Sequence, residues 1–197
     1  MIRQAEVYAA FRGSLQLLRY DPRGMMGFDT SVGGFWRSFL VVFYLLPLFW
    51  ISSLAEKKHI VEQANILPEN FPETIYWSAK LTGLGLDWIA LPLLLASLAG
   101  PIGVTKGFVP FIVVRNWTSL LTAIPYVVIS LLYLAGIISS GAMVFASLAT
   151  LLVVVWFRYV IARIALGAAA GTAVGIVLMD VLISLFVTEF AYKLWGG

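Results

Sequence analysis

No cysteine occurs in the 197-residue chain, which removes disulfide frameworks, thiolate nucleophiles, iron–sulfur ligation and cysteine-based zinc sites. Histidine occurs once, as His59 beside Lys57 and Lys58, and a lone histidine in a polar stretch reads as a surface residue rather than a metal ligand. Catalytic signatures are missing as well. There is no HExxH, no GxSxG, no P-loop and no dinucleotide fingerprint; Thr82-Gly83-Leu84-Gly85-Leu86-Asp87 lacks the third glycine and the strand context. The expectation is a protein that is not an enzyme and has no catalytic residue, no cofactor and no metal. Charge is scarce, at 12% of residues. The balance is basic, net +3, but the lysines and arginines are strung along the chain rather than gathered in one patch, so no nucleic-acid partner is expected.

What is abundant is apolar surface: 61% of residues are hydrophobic and the mean hydropathy is +0.94. A soluble domain of this length has no use for so much. Apolar runs of roughly 17 to 21 residues recur, the length that crosses ~30 Å of hydrocarbon as a helix. A β-barrel would show short alternating segments instead, whereas Leu151 to Trp156 is apolar on every face. The fold class read here is all-α, a polytopic helical membrane bundle of about five transmembrane helices with an N-terminal interfacial amphipathic helix. Spans are expected at residues 35–55, 81–104, 117–138, 142–161 and 167–187. Phe108 to Val114 is too short to cross alone and is read as an N-terminal extension of the third span. Prolines 47, 92, 101 and 125 fall within or at the ends of spans, where neighbouring helices satisfy the carbonyls they free.

Before the first span, Val7, Ala10, Phe11, Leu15 and Leu18 recur at helical spacing with Arg12, Gln16 and Arg19 largely elsewhere on the wheel. Residues 1–20 are too charged for a cleavable signal and too short to span, so a retained cytoplasmic helix on the headgroups is expected, ended by Asp21-Pro22. Residues 1–34 form this amphipathic helix and an interfacial loop; residues 35–197 form the transmembrane domain. Orientation follows from basic residues near the span ends. Arg3, Arg12, Arg19, Arg23, Arg37, Lys106, Arg115, Arg158 and Arg163 fall on one side, against Lys57, Lys58, Lys80 and Lys193 on the other. The N-terminus is therefore expected in the cytoplasm of a bacterial inner (cytoplasmic) membrane.

Asp180 lies inside the fifth span, where an uncompensated carboxylate costs at least about 2.5 kcal/mol. It must face protein or water, or be protonated, and Ser184 and Thr188 continue its face. Asp87 falls in the same half of the bilayer, with Lys80 two turns earlier. Asp87, Asp180 and Lys80 suggest either an outward-opening, proton- or ion-responsive pocket or a set of structural hydrogen bonds. Asp180→Asn should spare a structural role and abolish an ion-coupled one. Gly167, Gly171 and Gly175 form a GxxxGxxxG face for close helix contact, with an internal helix as the more common partner and a second copy as the other. Arg158 and Arg163, with Lys106 and Arg115, read as arginines and lysines reaching lipid headgroups.

The five closely spaced spans, together with Phe35-Trp36-Arg37-Ser38-Phe39, Val155-Trp156-Phe157-Arg158-Tyr159 and the small-residue start of the fifth span, resemble the layout of the bacterial branch of the YIP1-like membrane proteins. That resemblance implies a factor that organises or traffics membrane components, and it carries over no site residue. The expected function is accordingly a non-enzymatic integral membrane protein that assembles with lipid, another membrane protein or itself as a homo-oligomer, with a subunit of a larger complex as a variant of that reading. The alternative is a small ion-coupled permease using Asp87 and Asp180.

Overall fold

A computed structural model describes residues 3–196; Met1 and Ile2, at the start of the expected amphipathic segment, and the terminal Gly197 lie outside the described residues. Seven α-helices follow one another: α1 (Gln4–Leu18), α2 (Val32–Phe39), α3 (Val41–Ala64), α4 (Glu73–Leu98), α5 (Thr105–Leu134), α6 (Ser140–Ile164) and α7 (Ala170–Leu194). Helices α2 and α3 are separated only by Leu40, so Val32–Ala64 is one apolar rod, and with α4 to α7 it makes five helices long and apolar enough to cross a membrane. There is no strand among the described residues.

Local chemistry explains where these rods begin and end. Ser31 caps α2 by accepting from the Gly34 amide, and Ser139 caps α6 by accepting from the Ala142 amide. Asn65, with φ of 50°, ends α3 in the left-handed conformation that asparagine tolerates. Thr105 begins α5 well before residue 117, so Phe108 to Val114 is helical and belongs to the third long rod, as its apolar character predicts. The boundary expected at residue 34 falls within α2.

Helix α5 is the hub. It packs along α3 and α6, and α1 and α2 sit on it as well; α6 continues to α7, and α7 runs beside α4. Residues Phe111 to Thr118 of α5 are buried without a break, because helices surround that stretch on all sides. Helix α1 buries Ala10, Gly13, Ser14 and Leu17, with Gly13 and Leu17 against the turn around Gly24, and leaves Phe11 and Leu15 exposed. Arg37 joins α1 to α2 by pairing with Glu6 as well as Asp29. The Ser31 hydrogen bonds, followed by Arg37, hold the Asp29 carboxyl below its ordinary range.

Burial is uneven along the bundle. At the end carrying α1, the core is continuous: Leu17, Val41, Leu91, Leu95, Ile112, Phe157 and Val160 are fully buried. The opposite end has only the small cluster Ala55, Tyr133 and Met143. Packing to native density leaves no room for a ligand, so the loose half is where a cavity can exist.

Candidate functional site

Asp180 is the eleventh residue of α7 and Arg115 the eleventh of α5, and both helices start at the α1 end. At 1.5 Å per residue both lie ~15 Å in from their helix starts. Helix α4 runs the other way, and Asp87 sits eleven residues before its last residue, Leu98, which brings it to the same level. Arg158 is six residues from the end of α6, and the length of its side chain makes up the difference. Four ionisable side chains from four helices thus meet at one depth in the bundle.

Their pairing is unequal. Arg115 donates from Nη2 to Asp180 Oδ1 at 3.0 Å, and Arg158 pairs through Nη1 with Asp180 Oδ2. The side chains of Asp180 and Arg115 are 5% and 6% exposed, while that of Arg158 is 33% exposed. Asp87 is within electrostatic reach of both guanidinium groups, yet its Oδ1 is buried with no hydrogen-bond partner, as is Arg115 Nε. Two cations therefore converge on one carboxylate while the second is left short of donors. Burying charge in that way is tolerated only where the partners are held in place. Here they are: the Thr118 hydroxyl donates back to Val114 O and Ser119 to Arg115 O, and Asn116 donates to Ser38 Oγ, tying α5 to α2 at 3.0 Å.

This ionic layer is the floor of a cavity of about 730 Å³ lined by all five spans. Asp87, Arg158 and Asp180 lie at its base, Ser119, Thr122, Tyr126 and Ser184 supply polar points on its walls, and Leu48, Leu84, Leu151 and Val155 are among the apolar side chains. Its lining reaches toward the loosely packed end, to Ser147, Ser130 and Glu56. On the other side of the floor, beside the same ion pairs, lies a void of about 10 Å³, around the lower limit for one water molecule. The cavity is thus closed toward α1. At its mouth, α3 and α4 are bridged by side chains: Lys80 to Glu56, Lys57 to Glu73, Tyr76 Oη donating to Ser53 O at 2.6 Å, and Trp50 stacked on Trp77 at 4.0 Å.

The structure brings together Asp87, Asp180 and Ser184, as the sequence pattern suggests, but not Lys80, which is engaged by Glu56 at the rim. The headgroup reading of Arg115 and Arg158 is corrected: both turn into the bundle to Asp180. The reason is the start of α5, which carries Arg115 inside the span rather than ahead of it. The apolar run from Phe108 to Val114 held that information, since an arginine following it has no aqueous edge to reach. Lys106 is exposed near the start of α5, and Arg163 is half-buried near the end of α6. His59 meets the Ser140 hydroxyl at 2.7 Å.

Of the two partners expected for the glycine face, an internal helix is not the one found. Gly167 precedes α7 in a turn with φ of +68°, and a Cβ added at Gly171 or Gly175 would touch nothing within 4 Å. No described helix of this chain uses that face. The close approach lies elsewhere, at Gly107 of α5, where a Cβ would collide with the Leu166 carbonyl of the turn before α7.

No known protein family, curated protein or solved structure matches the chain.

Proposed function

We propose that this protein is a small, non-enzymatic solute carrier of a bacterial inner membrane, binding an amphipathic molecule in the cavity between its five spans. The observation that carries this reading is the cavity itself, about 730 Å³ in volume, within the range of sites that enclose a small organic ligand. Apolar walls with a few polar points suit a molecule with an apolar body, and the ionic floor suits a polar head. A helix bundle that served only as scaffold would gain stability by filling such a space with side chains. Closure on the α1 side and opening on the other give the asymmetry that one state of a carrier requires. By the distribution of basic residues the closed side faces the cytoplasm.

The test uses native mass spectrometry of protein released from nanodiscs formed with native membrane. Wild type is expected to retain an organic species of constant mass that Ser147→Trp, which puts an indole into the cavity, does not. Equal retention by a folded Ser147→Trp variant, or nothing retained by wild type, overturns the reading.

A second reading rests on Gly171 and Gly175, whose open face in an otherwise bulky apolar surface suits close contact with a second copy or another membrane protein. It would make the chain an assembly factor, and it is compatible with a cavity.

A further inference from the structure

The carrier reading leaves the chemistry of the ligand open, and the unequal pairing of the two carboxylates narrows it. Asp180 receives both guanidinium groups, one on each oxygen. Those two cations are thereby committed, and Arg115 is sealed away from the cavity by burial. Asp87 has no hydrogen-bond donor on its buried Oδ1, and its side chain lines the cavity. Of the charged side chains that line this space, Glu56 is paired with Lys80 at the rim and Asp180 and Arg158 with each other, which leaves Asp87. A carboxylate with one buried oxygen that lacks a donor favours an incoming positive charge or hydrogen-bond donor. An anionic head would have to compete with Asp180 for Arg158 and approach Asp87 against like charge.

Resting on the carrier reading, we infer that the cavity takes an amphiphile whose polar end is a protonated amine, and that Asp87 receives it. The ammonium donates to Asp87 at the floor while the apolar body lies along the leucines and valines of α3, α4 and α6. Asp180 is a positioning residue: by holding Arg158 it keeps that guanidinium from occupying Asp87.

Phenylbutylamine, phenylbutanol and phenylbutyrate share an apolar body and differ in the head, so isothermal titration of the detergent-solubilised full chain against the three separates the possibilities. The amine is expected to bind about tenfold tighter than the alcohol, the gain appropriate to one charge-assisted hydrogen bond in a site of this kind. The carboxylate is expected to bind weakest. Asp87→Asn should remove the amine's advantage over the alcohol, while retained binding of the alcohol shows that the variant is folded. Tightest binding of phenylbutyrate, or an amine advantage that survives Asp87→Asn, overturns the inference and leaves the carrier reading standing. If none of the three binds, or a folded Ser147→Trp variant binds all three as wild type does, the carrier reading fails with it.

A measurement on unaltered protein covers the case in which Asp87→Asn does not fold. A hydrophobic carbodiimide, which modifies membrane-embedded carboxyl groups, is expected to label Asp87 and spare the doubly paired Asp180. Phenylbutylamine, but not phenylbutanol at equal concentration, should protect Asp87. Labelling of Asp180 instead, or equal protection by both compounds, overturns the assignment.

Discussion

Asp180 answers to two guanidinium groups, so removing its charge leaves both short of a counter-ion in a layer with little water. Asparagine keeps the size and one acceptor oxygen but cannot balance Arg115, which has no route to solvent. The tolerance that a merely hydrogen-bonded aspartate would show is therefore not expected here. Asp180→Asn should lower the stability of the solubilised protein by about 3 kcal/mol, the cost typical of breaking a buried ion pair from one side. Asp87→Asn removes charge from an oxygen that has no donor to lose but also withdraws the second negative charge within reach of both guanidinium groups, and should cost about 1–2 kcal/mol, less than Asp180→Asn. Thermal unfolding followed by tryptophan fluorescence compares them; a larger loss for Asp87→Asn would mean that the roles of the two carboxylates are reversed. Asp180 stands out in the sequence because a carboxylate within an apolar run is anomalous on its face. Its partners do not, because an arginine near a span end has two outcomes, headgroup or interior, and only the neighbouring helices choose.

At the level of helices and turns, the same difficulty applies to glycine. A GxxxGxxxG series advertises a thin face, yet Gly171 and Gly175 meet nothing among the described residues, whereas Gly107 lies against the Leu166 backbone. Gly107→Ala forces the turn before α7 away from α5 and should cost about 1–3 kcal/mol, the range for overpacking a tight contact. Gly171→Leu meets only open space and should leave the unfolding temperature unchanged. Under the assembly reading it should instead reduce the mass of the detergent-free complex measured by light scattering in nanodiscs. The expected result is a marked fall in unfolding temperature for Gly107→Ala alone; equal falls would place the Gly171 face inside the bundle. The extension of the third span was legible from Phe108 to Val114, because apolar length is a property of consecutive residues. Which glycine is pressed against a neighbour is a property of two segments about sixty residues apart.

For the molecule as a whole, five crossings by the long apolar helices would put the two chain ends on opposite sides, and the basic asymmetry predicts the first of them inside. Because the chain has no cysteine, single cysteines report on this without background. In intact cells a membrane-impermeant maleimide should label Gly196→Cys and not Arg3→Cys. The reverse pattern overturns the orientation, and labelling of both overturns the odd number of crossings. Membrane class, number of long helices and the presence of an anomalous carboxylate are determined by the sequence alone, since each is written in apolar length and in the energetic cost of charge in hydrocarbon. The ionic layer, the cavity above it and the idle glycine face were decided only by tertiary structure. They depend on the relative depth and rotation of α4, α5, α6 and α7, which are set by interdigitating side chains of distant segments, and lipid-facing and helix-facing residues are equally apolar, so composition does not distinguish them.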